Sequence, residues 1–200
     1  MGYRDTWLSH AGAVSRHSEV VLHAFDREAP REPVRLLDVG VENGGSLEVW
    51  EACLPEGSTI LGMDSDPRCG DLNLPVIICD VTDKTAVKNA LQGRWFDLIV
   101  DSTGTSSPWT WAFLRPGGRL MLEDYEPARV QELVAAITED QPSWLPTEEI
   151  MRATLFPKIT VIEKRYPRVI PYIDIAVGNF ADVTGEEELT RQGIKRVLVD

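Results

Sequence analysis

Short apolar segments alternate with helical segments along this chain, and each of four consecutive apolar segments is followed by an acid. These acids are Asp64, Asp80, Asp101 and the pair Glu123 and Asp124. Alternating strands and helices favour a parallel sheet with helices on both faces. The carboxyl ends of parallel strands share one edge, where ligands bind. Any single Asp could equally be a turn or cap residue, but four in register predict a functional edge.

The spacing of apolar residues predicts the individual elements. Strands are expected at residues 34–39, 59–63, 75–79, 96–100, 119–122, 150–155 and 159–164. Helices are expected at residues 6–26, 46–53, 82–91 and 127–138. The short gap at residues 156–158 allows a hairpin and hence antiparallel pairing. Residues 169–177 could add a strand and residues 185–193 a short helix.

Composition limits the partners of the chain. Its 200 residues carry a formal net charge of −12, which disfavours nucleic acid, because phosphates require a basic surface. A small or weakly charged acceptor is therefore expected. Three cysteines without a Cys-x-x-Cys pair predict reduced thiols, and the apolar runs are too short for a membrane span. We expect a cytoplasmic protein with no membrane partner. The sequence leaves open whether the chain forms a homo-oligomer.

The turn after the first strand reads Asp38-Val39-Gly40-Val41-Glu42-Asn43-Gly44-Gly45-Ser46. A dinucleotide fingerprint has Gly-x-Gly-x-x-Gly, which lets the backbone approach a pyrophosphate. Glu42 stands at the middle glycine position, where a carboxylate repels pyrophosphate. NAD and FAD are therefore disfavoured, and no Gly-Lys-Ser/Thr follows to form a phosphate-binding loop.

The same turn suits a ligand with a cationic centre and little negative charge. S-adenosylmethionine has a sulfonium, an ammonium and one carboxylate. The glycines would let its methionine part lie against the backbone, and Asp38 would orient the ammonium group. Asp64, about 20 residues after Gly45, has the spacing of a ribose-binding acid, and Asp80 would accept from the adenine amino group. The expected cofactor-binding residues are Asp38, Gly40, Gly44, Gly45, Ser46, Asp64 and Asp80.

Several segments in this order resemble the class I S-adenosylmethionine-dependent methyltransferases. They are Leu36-Leu37-Asp38-Val39-Gly40 with Gly44-Gly45-Ser46, Ile60-Leu61-Gly62-Met63-Asp64, Phe96-Asp97-Leu98-Ile99-Val100-Asp101, and Leu114-Arg115-Pro116-Gly117-Gly118-Arg119. The resemblance implies an α/β fold, a Rossmann-like three-layer sandwich. Its sheet would have seven mostly parallel strands and an antiparallel strand near the C-terminal edge. Residues 34–165 would form the core, residues 1–33 an N-terminal helix and linker, and residues 166–200 an extension of the same domain.

Three stretches are similar to the macrolide-sugar and cephalosporin-pathway O-methyltransferases. They are Gly44-Gly45-Ser46-Leu47 with Trp50, Leu122-Glu123-Asp124, and the segment of residues 156–165. That group binds magnesium at the ends of the fourth and fifth strands. The resemblance implies Asp101, Glu123 and Asp124 as ligands, and oxygen donors are what magnesium requires.

The chain departs from this group after its fourth strand. The group usually has Asp-Asp-Gly-Ser-His there, whereas this chain has Asp101-Ser102-Thr103-Gly104-Thr105. One acid and the histidine that would act as general base are missing. Asp101 and Asp124 are the expected catalytic residues, and further candidates for the base are Tyr125, His10 and His17. Two tryptophans after that strand, Trp109 and Trp111, either line an acceptor pocket or cover the core.

Three functions follow from these observations. The first is an O-methyltransferase that acts on a small molecule, such as a sugar or natural product. The second is a non-catalytic protein that keeps the fold for binding or assembly, which the missing acid and histidine favour. The third is a methyltransferase for protein or nucleic acid, and the acidic composition argues against the nucleic acid.

Overall fold

A computed structural model of the chain describes residues 27–28, 30–123, 125–139, 143–156, 159–166, 172–176 and 194–198. The predicted helix at 6–26, with His10 and His17, lies outside these residues. The predicted helix at 185–193 and Asp124 also lie outside them. In the described part of the chain, no helix is long and apolar enough to cross a membrane.

Nine strands and four α-helices make up the described structure. The strands are β1 Arg35–Val39, β2 Thr59–Asp64, β3 Val76–Ile78, β4 Phe96–Asp101, β5 Leu114–Glu123, β6 Ile150–Phe156, β7 Ile159–Lys164, β8 Tyr172–Ala176 and β9 Ile194–Leu198. The helices are α1 Gly45–Cys53, α2 Lys84–Leu91, α3 Ser107–Thr110 and α4 Pro127–Glu139. Short 3₁₀ turns lie at Pro67–Asp71, Trp111–Phe113 and Thr147–Glu149.

All strands belong to one sheet in the order β3-β2-β1-β4-β5-β7-β6-β8-β9. Strands β1 to β5 pair in parallel, and β7 is antiparallel to both β5 and β6. The first seven strands of this order are the expected seven-stranded core, and the predicted antiparallel pairing of β6 with β7 is confirmed. Strand β8 continues the sheet beyond β6, at residues where one more strand was expected, and β9 was not predicted.

Alternate residues of the central strands face opposite layers of the molecule. Leu36 packs with Val49 and Trp50 of α1 in one buried cluster. Its neighbour Leu37 packs with Leu91 of α2 in another cluster, which also contains apolar residues of α4. Because both faces of the sheet are covered, the central strands are mostly apolar. The predicted three-layer α/β sandwich is confirmed.

Two details of the chain differ from the sequence predictions. Helix α2 begins one residue after its cap Asp83, whose carboxylate accepts from the N–H groups of Thr85 and Ala86 at 2.7 and 3.3 Å. Strand β5 begins five residues earlier than predicted. Its pairing with β4 shifts between Phe96 and Leu98, because residues 115–118 form a bulge within the strand.

Candidate cofactor site

The turn that follows β1 winds tightly at the carboxyl edge of the sheet. Gly40, Glu42 and Gly44 all have positive φ, at 93°, 48° and 84°. This left-handed conformation disfavours residues with a Cβ atom, and Glu42 is the only described non-glycine residue that adopts it. Such an outlier is common at functional sites.

Asp64, at the end of β2, holds this turn in place. One carboxylate oxygen accepts from the Glu42 N–H at 2.9 Å, and the other accepts from the Asp66 N–H at 2.8 Å. A carboxylate has about four acceptor positions. Asp64 can therefore support the turn and still accept hydrogen bonds from a ligand.

A cleft of about 600 Å³ opens beside this turn. It is lined by Glu42, Asn43, Asp64, Asp66, Arg68 and Leu72. Arg68 forms a salt bridge with Asp66, and hydrogen bonds from Arg68 lower the pKa of Asp66. The charges of this pair offset each other, and the carboxylates of Glu42 and Asp64 also line the cleft, so its described lining contains more acids than bases. It favours a cationic ligand and disfavours a diphosphate.

Three residues of this cleft, Asp66, Arg68 and Leu72, were missed by the sequence reasoning. They belong to or flank the 3₁₀ turn Pro67–Asp71, in which Asp66 is the cap and accepts from the Arg68 N–H at 2.9 Å. A capping Asp followed by Pro is a recognisable signal for the start of such a turn. It was interpreted only as the end of a strand.

Side chains of this chain cover two of the predicted cofactor-binding glycines. A Cβ atom at Gly40 would overlap the Ser102 hydroxyl oxygen and lie 3.0 Å from Thr103 Cγ2. A Cβ at Gly44 would lie 3.1 Å from Leu72 Cδ1. Both glycines are thus required by internal packing. Glu42 and Asn43 of this turn line the cleft, whereas Gly40 does not.

The other predicted cofactor residues lie around this cleft without lining it. Asp38 is 2% exposed within β1. Gly45 begins α1, and its N–H donates to the Asn43 side chain at 3.2 Å, while Ser46 follows in the same helix. Asp80 is exposed, and hydrogen bonds from Thr82 lower its pKa. Their roles in cofactor binding stay predictions.

Asp101 is fully buried at the end of β4. One of its carboxylate oxygens accepts from the N–H and the hydroxyl of Thr103, at 2.9 and 2.6 Å. Its other oxygen accepts from the Ser107 hydroxyl, and Ser107 in turn accepts from the Tyr125 hydroxyl at 2.9 Å. This chain of hydrogen bonds folds the loop of residues 102–107 back onto the sheet. Asp101 therefore organises the loop, and its carboxylate does not reach the cleft.

Tyr125 also lies inside the protein, at 7% exposure. Burial raises the pKa of its phenol far above the usual range, and the negative charge of Asp101 raises it further. Trp144 stacks on the Tyr125 ring with the centroids 5.6 Å apart. Arg129 lies over both rings and donates to the Gly104 carbonyl at 2.7 Å. The phenol stays protonated, so Tyr125 is a poor candidate for the catalytic base.

Of the three predicted magnesium ligands, the structure describes Asp101 and Glu123, at the ends of the neighbouring strands β4 and β5, and the metal site stays a prediction. Asp101 accepts three hydrogen bonds from Thr103 and Ser107, and Glu123 is 7% exposed at the end of β5. No three His, Cys, Asp or Glu side chains among the described residues could hold a metal ion together. Asp124, the third predicted ligand, lies outside the described residues.

The two tryptophans after β4 belong mainly to the core. Trp111 is 3% exposed, and its indole N–H donates to Glu149 at 2.9 Å. Lys164 lies over the Trp111 ring and pairs with the same Glu149. Trp109 is half-buried against the core, beneath Lys84 of α2. Of the two alternatives, covering the core is the correct one for Trp111.

Comparisons with known proteins support the fold. No protein-family model and no curated protein sequence matches the chain. Among solved structures, it is similar to the MycE methyltransferase of the mycinamycin biosynthetic pathway, solved with Mg and SAH. That match has a TM-score of 0.69 and 18% identity, and covers 86% of this chain and 57% of the other.

Two further structures share the fold. TrmN from Thermus thermophilus matches with a TM-score of 0.52 and 18% identity, over 71% of this chain and 47% of its own. A ribosomal-protein methylase from Lactobacillus delbrueckii subsp. bulgaricus matches with a TM-score of 0.52 and 13% identity, over 75% of this chain and 80% of its own. The chain spans about half the length of MycE and TrmN. It has the fold of these methyltransferase structures.

Proposed function

We propose that the chain is an S-adenosylmethionine-dependent methyltransferase that methylates a hydroxyl group of a small molecule, such as a sugar or natural product. The observation that carries the proposal is the acidic cleft at the carboxyl edge of β1 and β2, beside the turn at Glu42. A similar fold binds S-adenosylhomocysteine in MycE. Its companion structure also contains mycinamycin VI, which supports a small-molecule acceptor.

The charges of the cleft support this cofactor over a dinucleotide. Glu42 and Asp64 would attract the sulfonium and ammonium groups and repel a diphosphate. Asp64 keeps acceptor positions for ribose hydroxyls while it holds the Glu42 and Asp66 N–H groups. Since Ser102 lies over Gly40, the methionine part would approach the turn from the side of Asn43. Asp38 remains the proposed partner of its ammonium group.

Bound S-adenosylmethionine supplies a methyl group on a positively charged sulfur. The acceptor oxygen forms a bond to this methyl carbon while the carbon–sulfur bond breaks, and the hydroxyl proton passes to a base. Asp101 and Tyr125 are enclosed in the hydrogen-bond chain through Ser107, so neither is suited to accept that proton. We assign the base to Asp124, which follows β5, two strands from β1 in the sheet.

Calorimetry with S-adenosylmethionine, S-adenosylhomocysteine and ATP tests the cofactor assignment. We compare the wild-type chain with Asp64→Asn, which keeps one acceptor oxygen, and use Asp71→Asn as the control. Asp71 is exposed in the neighbouring turn and does not line the cleft. Hydrogen bonds to a charged group contribute about 1.5–3 kcal/mol. We therefore expect Asp64→Asn to weaken cofactor binding at least about tenfold, with Asp71→Asn unchanged. Displacement of bound S-adenosylhomocysteine by ATP, or no nucleoside binding, contradicts the assignment.

Asp101's burial favours a second candidate function, a binding or assembly protein that keeps the fold without the chemistry. Methyl transfer from labelled cofactor to a panel of hydroxyl compounds separates the two. An enzyme would transfer methyl groups and lose this activity in Asp124→Asn while still binding cofactor. A protein that binds the cofactor but transfers nothing to any acceptor supports the second function.

A further inference from the structure

Four arginines meet in a second cleft, at the opposite edge of the sheet from the cofactor site. This cleft of about 560 Å³ lies where β1, β4 and β5 begin. The residues that matter for its chemistry are Arg27, Arg31, Arg115, Arg119, Glu32 and Tyr166. Nothing in the methyl-transfer reaction uses this edge.

The bulge in β5 brings two of these arginines to the cleft. Phe96 pairs with Leu114, but Leu98 pairs with Arg119, so the four residues 115–118 of β5 leave the ladder. Arg115 is the first of these four residues, and Arg119 follows the last. The ring of Tyr166 lies directly against Gly117 in this bulge, where a Cβ atom would overlap it. Bulges often direct side chains toward functional sites.

Internal contacts hold the arginines without using all their donors. Arg119 donates through Nη1 to the Glu28 carbonyl at 2.7 Å, and Arg115 uses Nη1 for its salt bridge with Asp97. A guanidinium has five N–H donors, so each retains others for a ligand. In the described part of the chain Arg31 has neither a hydrogen bond nor an ion pair, and it is exposed.

The cleft has an excess of positive charge although the whole chain carries −12. The carboxylate of Glu28 is shared among Arg27, Arg119 and Arg152, and Asp97 neutralises Arg115. Glu32, on the cleft wall, offsets one further charge. Glu163 also pairs with Arg152, so five arginines face four carboxylates, and a bound anion would balance the remaining positive charge.

We infer that this second cleft binds a small ligand that carries a diphosphate group. Arginine forks match phosphate oxygens in paired hydrogen bonds, and the volume is within the usual range for small-molecule sites. Tyr166, 52% exposed, provides a face for a ring attached to the diphosphate. Arg115 is pre-positioned, because the ring of Trp95 lies 4.7 Å from its guanidinium. The inference goes beyond the proposed function and does not depend on it.

Calorimetry with inorganic pyrophosphate and with ADP tests this site on the full chain. Both probes should bind with one-to-one stoichiometry, and their affinity should fall as salt is added. Arg31→Gln should weaken both at least about fivefold, because Arg31 has no structural contact to lose. The matched control Lys88→Gln removes the same charge on the exposed side of α2, away from the cleft, and should leave both affinities within about twofold.

The two probes and a competitor distinguish the outcomes. Tighter binding of ADP than of pyrophosphate supports a nucleotide that uses the Tyr166 face, while equal binding supports a diphosphate without a ring. Saturating S-adenosylhomocysteine should not displace either probe, because the cofactor cleft lies at the other edge. The inference is overturned by an absence of saturable binding, by displacement, or by equal losses in Arg31→Gln and Lys88→Gln.

Discussion

The contact between Ser102 and Gly40 yields a quantitative prediction for Gly40→Ala. The φ of 93° imposes a strain of about 1–2 kcal/mol on any residue with a Cβ atom. The new Cβ also overlaps the Ser102 hydroxyl oxygen, and overpacking of this kind costs about 1–3 kcal/mol. We therefore expect Gly40→Ala to lower the unfolding free energy by about 2–5 kcal/mol.

A double-mutant cycle separates the two contributions. Ser102→Ala removes the overlapping oxygen and leaves its Cβ at 3.6 Å from the new methyl group, an ordinary contact. Ser102→Ala alone should lower the unfolding free energy by about 0.5–1.5 kcal/mol, because the Ser102 hydroxyl donates to the Val39 and Gly40 carbonyls. In the Ser102→Ala background, the cost of Gly40→Ala should fall by about 1–3 kcal/mol.

Urea unfolding of the four proteins measures this coupling, and Gly93→Ala calibrates the strain. Gly93 has a φ of 75° and no atom within 4 Å of its Cβ position, so its substitution should cost only about 1–2 kcal/mol. If the effects of Gly40→Ala and Ser102→Ala add within about 0.5 kcal/mol, Ser102 does not cover Gly40. The carboxyl end of β1 would then be accessible to a ligand.

Three more predictions concern buried polar groups. Asp101→Asn should lower stability by about 1–3 kcal/mol in urea unfolding, because an amide that turns its NH₂ toward Ser107 leaves that hydroxyl without an acceptor. Glu28→Gln should cost about 2–4 kcal/mol in the same assay, since Arg27, Arg119 and Arg152 lose the carboxylate that they share. Arg152 keeps its salt bridge with Glu163, and the partial exposure of the arginines keeps the loss below that of a fully buried pair. The raised pKa of Tyr125 stabilises the fold below pH about 10. Stability should therefore fall as pH rises above this value, and less steeply in Tyr125→Phe.

Each of these predictions has a result that contradicts it. An unchanged unfolding free energy of Asp101→Asn in urea would mean that the Ser107 hydrogen bond is absent. If Glu28→Gln lowers the unfolding free energy no more than the exposed control Glu51→Gln does, the buried ion cluster around Glu28 does not stabilise the fold. Parallel stability curves of wild type and Tyr125→Phe between pH about 9 and 11 would mean that the phenol is not buried.

Much of the site's framework was predictable because its signals are local. The strand before Gly40, the acid at Asp64 and the cap before α2 each depend on a few neighbouring residues. The exclusion of a dinucleotide depended on one residue, Glu42, and the structure places its backbone in the unusual left-handed region. The hydrogen-bond chain that encloses Asp101 was not predictable, because Ser107 and Tyr125 come from other segments of the chain.

The sequence by itself determined the order of strands and helices and the row of acids that follows the strands, because apolar periodicity and turn residues act over short distances. Only the tertiary structure decided which acids face the cleft and which are enclosed. It also placed Ser102 over Gly40 and joined Arg31 to Arg115, more than eighty residues apart in the chain. Such contacts arise when strands pair and loops fold onto the sheet, and no local pattern specifies them.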